Sequence, residues 1–351
     1  MTSTVAGPTY DAASGGPGKP MPGASGPILI IGVPRSGTSW LGKIFDSHPG
    51  VLYRHEPDDV IAQPDFPGIC PVEDIPRYAA AARRYVAQLT TVRQVKSSGT
   101  RPLFAKPFQP FAAPLIRRTL ALALRAGEAV PPAAPWLKRV PIPDFVSGDA
   151  AGITYVIKSV ALIGAVALLA RAVPESRIIA VFRHPCGQLA SVRRAAAAGY
   201  RGALFGPRVL ATERARELGM TRECYDALPV LDQWVWAWAL VHAKLFEEAG
   251  NLSNVRLLRY ENLCQAPIEE ASELMAFARL PWTRETQRFI EDTSHSNGRE
   301  GYFSLFRNPM EAATKWQREL SADEIAHFSG IVERVLPPES RERALGSSQP
   351  S

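Results

Sequence analysis

Pro27-Ile28-Leu29-Ile30-Ile31-Gly32-Val33-Pro34-Arg35-Ser36-Gly37-Thr38-Ser39-Trp40-Leu41 reads as a buried strand, a glycine-bounded turn and the first turn of a helix. Such a turn wraps backbone N–H groups around an anion, because the first N–H groups of a helix have no intrahelical acceptor and point the same way. Gly32 and Gly37 have the separation of the P-loop pattern G-x-x-x-x-G-K-[ST], and Ser39 is present. Position 38, where that pattern puts lysine, is Thr38, and the only cation in the loop is Arg35. The plain alternative is an ordinary strand–turn–helix connection. Against it stand four apolar residues before the loop, Pro34 fixing the turn, and Ser36, Thr38 and Ser39 at the helix start. The stretch is expected to bind an anion, and the missing lysine steers which one.

Outward from this loop the chain alternates strands and helices. Val51-Leu52-Tyr53 reads as a second strand leading into Arg54-His55-Glu56-Pro57, and a helical pattern follows from about 75 to 95. Residues 102–114 are punctuated by proline and are read as carrying a short strand at Leu103 to Lys106, and 127–149 as a proline-rich loop or lid. Thr154 to Lys158 is a strand, Val160 to Val173 a helix, Arg177 to Phe182 a fully apolar strand, and Pro185 opens a helix running to about Ala198. Residues 199–228 read as an irregular, arginine-rich insertion. The segment from 230 to 249 is a long helix whose Trp234, Trp236 and Trp238 are read mainly as core, and Val255 to Leu258 is a further strand. Helices are expected at roughly 266–278, 283–291 and 321–335. Strand–helix–strand–helix with continuous apolar strands predicts an α/β fold, a P-loop-type central parallel sheet flanked by helices on both faces. The domain is expected over 27–337, with insertions at about 95–152 and 199–228, a disordered lead-in at 1–26 and a flexible tail at 338–351.

The bulk properties fit that class. With 351 residues, 46% of them hydrophobic, the chain can bury about three quarters of its unfolded surface. The net charge of +6 comes mostly from arginine, which suits bidentate phosphate or sulfate recognition. Genomic composition bias explains part of it, and the charge is spread rather than packed into a stripe, so nucleic-acid binding is not favoured. Cys70, Cys186, Cys224 and Cys264 are scattered and point to neither zinc nor a disulfide framework. Residues 1–26 lack the basic-then-apolar order of a signal peptide, and the longest apolar run, 160–170, is too short to span a bilayer. The expectation is a cytoplasmic protein; whether it is a homo-oligomer is left open.

In open α/β sheets ligands gather at the carboxyl ends of the strands. Four such ends carry candidate groups: Arg35 with its loop, Glu56, Lys158-Ser159, and Arg183. Converging, they make a cationic pocket with a single carboxylate, suited to a doubly anionic ligand. The alternative for Glu56 is an exposed loop glutamate paired with Arg54; that for Ser191 is a helix-surface serine.

The loop Gly32 to Leu41, with Ser47-His48-Pro49 after the helix, resembles the sulfotransferases that use 3′-phosphoadenosine 5′-phosphosulfate (PAPS). It is most similar to the bacterial branch related to tyrosylprotein and carbohydrate sulfotransferases. Further matches are Val156 to Ser159, Arg177 to Pro185 with Ser191, Arg259 to Leu263, and Lys315-Trp316 before Leu320-Ser321. The resemblance implies that Arg35, Ser36, Gly37, Thr38, Ser39 and Trp40 bind the 5′-phosphosulfate and that Arg183 and Ser191 bind the 3′-phosphate. It implies Glu56 as general base, with His55, whose ordinary pKa lies nearer neutrality, as the rival. Lys158 and Arg35 would stabilise charge on the bridging oxygen and the transferred group, and Lys315 and Trp316 would close over the nucleotide along with Arg299, Arg307 and Arg318. His48 is read as structural. Cytosolic relatives place a lysine in the loop and a histidine base in a K-T-H-type segment, whereas here Lys106 is followed by Pro107.

No metal is expected, and the acceptor is a small-molecule, carbohydrate or lipid hydroxyl, its site shaped by 60–150 and 199–228 with Trp136, Tyr200 and Phe205. A P-loop kinase is the runner-up, but it needs the lysine at 38 and a strand-end acid for magnesium. The second alternative is a non-catalytic nucleotide-binding member of the fold.

Overall fold

The computed structural model describes residues 26–61, 64–129, 140–147, 152–199, 206–294 and 308–346. Five strands, β1 (Ile28–Gly32), β2 (Val51–His55), β3 (Thr154–Ser159), β4 (Arg177–Phe182) and β5 (Val255–Arg259), form one sheet in the order β2-β3-β1-β4-β5. Every neighbouring pair is parallel. Parallel neighbours need crossovers, and helices supply them on both faces, so the apolar runs are buried on two sides.

The pleat of β1 sorts the core. Ile28 and Ile30 face one layer with Trp40, Leu41, Ile44 and Phe45 of helix Thr38–Ser47. Leu29 and Ile31 face the other, against helices Ile75–Thr91, Val166–Ala172 and Val230–Ala249. Trp236 and Trp238 are buried there and Trp234 packs against them at the rim. The α/β reading with helices on both faces is what the chain adopts.

Several local expectations differ. Residues 103–106 form no strand; the Lys106 side chain is instead drawn inward to main-chain carbonyls. The helix expected from Val160 begins only after a 3-10 turn, Ile163–Ala165. Ala113–Ala129 is a 17-residue helix not anticipated between the two proline-rich stretches. Residues 338–345, expected as tail, form a helix with Ala344 buried and the Leu345 carbonyl accepting from Arg259 Nη2 at 3.2 Å. The expected lead-in 1–26 lies almost entirely outside the described residues, as do Trp136, Tyr200, Phe205, Arg299 and Arg307. Among the described residues, no helix is long and apolar enough to cross a membrane.

Candidate active site

The strand order sets the site. β1 lies between β3 and β4, with Ile31 opposite Ser159 on one side and Gly32 opposite Val181 on the other. The loop after Gly32 therefore emerges between Lys158-Ser159 and Arg183. β2 adds its own end, pairing His55 with Lys158.

The loop is shaped by two glycines without room for a side chain. A Cβ on Gly32 would lie 2.6 Å from Ser36 Oγ and from the Val181 carbonyl oxygen. Gly37 has φ 95°, and a Cβ there would lie 2.1 Å from Tyr260 Cδ2. The turn is closed by Ser36 N–H donating to Val33 O at 3.2 Å and by Gln188 Nε2 donating to Pro34 O at 2.7 Å. Helix Thr38–Ser47 has no side-chain cap; the N–H groups of Trp40 and Leu41 donate to Gly37 O at 3.1 and 3.3 Å, and those of Thr38 and Ser39 precede the first helical acceptor. Ser36 Oγ is buried with no hydrogen-bond partner among the described residues.

Arg35 sits at φ 73° and donates from Nε to Ser191 Oγ at 3.1 Å. Arg183 donates from Nη1 to Arg35 O at 3.3 Å and from Nη2 to Ala312 O at 2.5 Å, while its buried Nε–H, 4.0 Å from Glu261 Oε1, has no hydrogen-bond partner among the described residues. Arg35, Arg183 and Ser191 thus meet across 156 positions of sequence. Tyr260 is the wall behind them, its ring 4.8 Å from the Arg183 guanidinium carbon, and Glu261 accepts from the His184 N–H at 3.1 Å.

On the other side, Lys158 Nζ donates to Glu56 Oε1, and Glu56 N–H donates to Lys158 O at 2.8 Å. Arg54 is not the partner of Glu56. It is buried and paired through two bonds, of 3.0 and 2.7 Å, with Asp144. Glu56 has φ 43°; it and Arg35 are two of the four non-glycine residues with positive φ among the described residues. Strained backbone of this kind concentrates at functional sites. Burial pushes the Glu56 carboxyl up, but the Lys158 ammonium beside it leaves it below the ordinary range. His55 is driven well below its ordinary value by burial and by Lys158, and its Nδ1 lies 3.0 Å from the Tyr53 hydroxyl.

Not every expected residue presents its side chain here. Trp40 is packed in the core and donates to Thr293 Oγ1 at 3.2 Å, so its main chain alone belongs to the loop. Thr38 is buried and Ser39 half-exposed in the first helical turn. Trp316 stacks on His184 at 4.3 Å and 12° and so borders Arg183, whereas Lys315 is turned toward Glu319 at 3.7 Å. His48 is structural, accepting from Gly50 N–H at Nδ1 and bonded to the Pro281 carbonyl, both at 3.0 Å.

Three neighbours escaped the sequence reading. Gln188 falls three residues before Ser191 on one helix face, a spacing that could have shown it. Lys96, 3.7 Å from Glu56 Oε2, carries no sequence signal. Asp58 accepts from Ser159 Oγ at 2.7 Å, a second rung beside Glu56–Lys158, with its other oxygen unpartnered among the described residues and its carboxyl pushed up to about 6 by burial. Among the described residues, no group of three or more His, Cys, Asp or Glu is placed to hold a metal ion.

The family model of the Sulfotransferase family matches residues 27–284, and the chain belongs to that family. Solved structures similar to it include the sulfotransferase domain from the Synechococcus PCC 7002 olefin synthase, at 13% identity, covering 90% of this chain and 97% of that one with a TM-score of 0.43. The mouse sulfotransferase SULT7A1 complexed with PAP matches at 13% identity over 91% and 87%, TM-score 0.42. Sulfotransferase STF1 from Mycobacterium tuberculosis H37Rv matches at 16% identity over 84% and 77%, TM-score 0.37. No curated protein matches the chain.

Proposed function

We propose that this sulfotransferase moves a sulfuryl group from PAPS to a hydroxyl of a small-molecule, carbohydrate or lipid acceptor, with Glu56 as the general base. The observation that carries the proposal is the pairing of Glu56 with Lys158 beside a loop whose Arg35 meets Ser191 and Arg183. The residues fit such a donor. Among the described residues Ser36 Oγ and Arg183 Nε are buried donors with no hydrogen-bond partner, and helix Thr38–Ser47 starts at the turn without a side-chain cap. Loop and helix start would hold the 5′ end, and Arg183 with Ser191 the 3′-phosphate.

When bound, the donor supplies a sulfuryl group on a phosphate leaving group. Glu56 accepts the acceptor's hydroxyl proton as the new S–O bond forms, because a protonated alcohol is a poor nucleophile. Lys158 and Arg35 face the negative charge that builds on the oxygen being released, where preorganised cations are worth most. A charged group entering beside Lys158 competes with Glu56 for its protons, and Glu56 becomes more basic as that ion pair loosens.

Calorimetry tests the donor class. Adenosine 3′,5′-bisphosphate is expected to bind more tightly than ATP with Mg²⁺; tighter ATP binding would overturn the proposal in favour of a phosphotransferase. With the donor established, transfer of labelled sulfate to cell-extract fractions identifies the acceptor class.

A further inference from the structure

A second charged cluster lies behind the site, between helix Thr38–Ser47, β2 and the excursion that follows it. Lys43, Lys106 and Arg117 are all buried there, and the carboxylate among them is Asp46. Asp144 alongside is already taken by Arg54 and by Arg93, whose Nε lies 3.0 Å from Oδ2. Among the described residues that line the cavity, three cations face one anion, which leaves two positive charges out of water without a counter-charge, an arrangement that burial penalises.

The lysines are already fully engaged. Lys43 Nζ donates to Asp46 Oδ2 at 2.7 Å, Thr100 O at 2.7 Å and Pro102 O at 3.0 Å. Lys106 Nζ donates to His48 O at 2.9 Å and to Asp46 O, and lies 3.5 Å from Asp46 Oδ1. Two donors on the same small cavity are not engaged: Arg117 Nε–H and Ser97 Oγ–H are both buried and have no hydrogen-bond partner among the described residues. Arg117 is anchored from its other side by Nη2 donating to Ser98 O at 3.1 Å.

We propose that this cavity is an anion site taking one halide-sized ion, held by Arg117 Nε–H and Ser97 Oγ–H in the field of Lys43 and Lys106. A water molecule would satisfy the two donors but would leave both surplus charges. A polyatomic oxyanion has more acceptor oxygens than the two free donors can meet. Burial pulls both lysines down, Lys106 to about 8, and a bound anion would restore them. The site shares helix Thr38–Ser47 with the donor loop and β2 with His55, but its lining includes none of the residues assigned to the donor, so the proposal does not rest on the assignment of PAPS.

The full-length protein is unfolded thermally at constant ionic strength while sodium gluconate is exchanged for chloride, bromide or sulfate. Chloride and bromide are expected to raise Tm saturably by about 2 °C, with gluconate and sulfate inert. Bromide-soaked crystals are expected to show an anomalous peak within hydrogen-bond distance of Arg117 Nε and Ser97 Oγ. Ser97→Ala is expected to weaken the halide response at least fivefold; should Arg117→Met fail to fold, Ser97→Ala carries the test alone. A Tm indifferent to halide, an undiminished response in Ser97→Ala, or no bromide peak in the cavity would overturn the proposal.

Discussion

Glu56 and His55 are adjacent in sequence, with His55 Nε2 3.8 Å from Glu56 Oε1, but they differ in charge state. His55 is buried, near Lys158, and held far below its ordinary pKa, so it is neutral at neutral pH with Nδ1 directed at Tyr53. Glu56 is ionised and paired with Lys158. Glu56→Gln is therefore expected to cut turnover by about 10²–10⁴-fold while adenosine 3′,5′-bisphosphate binding persists. His55→Ala keeps most of the activity; steady-state kinetics on both variants decide, and the reverse pattern moves the base to His55. Asp58 makes a separate prediction, about stability. Its carboxyl, pushed up from 3.8 to about 6 by burial, keeps its proton in the folded chain over a range where the unfolded chain has released it. Stability therefore falls as pH rises through that window, and the loss is complete above it. Asp58→Asn, which retains an acceptor for Ser159, should gain up to about 3 kcal/mol near neutral pH and nothing below about pH 4. Urea unfolding at both pH values measures it, and an equal effect at the two would exclude the burial explanation.

At the scale of elements, the decisive unit is the turn between β1 and helix Thr38–Ser47. Its glycine spacing was legible in the sequence because a phosphate-type cradle needs positions without a side chain. What forbids one was not legible. At Gly37 the obstacle is the Tyr260 ring, brought from the end of β5 and doubling as the surface beneath Arg183. Gly37→Ala combines positive φ with that clash and is expected to cost about 1–3 kcal/mol. It should also weaken adenosine 3′,5′-bisphosphate binding, read by thermal unfolding and calorimetry on the same preparation; unchanged values in both would remove Tyr260 from the loop's support. Arg183 and Ser191 are set together by the family resemblance, their eight-residue spacing leaving open whether both reach one phosphate. That Arg35 joins them depends on Arg35 adopting φ 73°, which no spacing announces.

At the scale of the molecule, strand order does the assembling. Placing β1 between β3 and β4 sets the loop, Lys158 and Arg183 side by side, and β2 at the edge brings Glu56 to Lys158. The C-terminal helices close the opposite flank, where Ala312 O accepts from Arg183 and Trp316 stacks on His184. Removing that stack in Trp316→Ala should weaken adenosine 3′,5′-bisphosphate binding about fivefold, the worth of one aromatic pair, while leaving turnover at saturating donor nearly unchanged. A fall in turnover with affinity intact would place Trp316 against the acceptor instead.

The sequence by itself determined the class of fold and the positions of the strand-end groups. Apolar runs of strand length, glycine spacing and proline at helix starts are local features, and each acts through its own backbone. Tertiary structure alone decided the partners: Lys158 rather than Arg54 for Glu56, the core rather than the site for the Trp40 indole, and three buried cations around Asp46. Partner choice depends on which strands neighbour one another and on what burial does to a charge, and neither quantity resides in a stretch of chain.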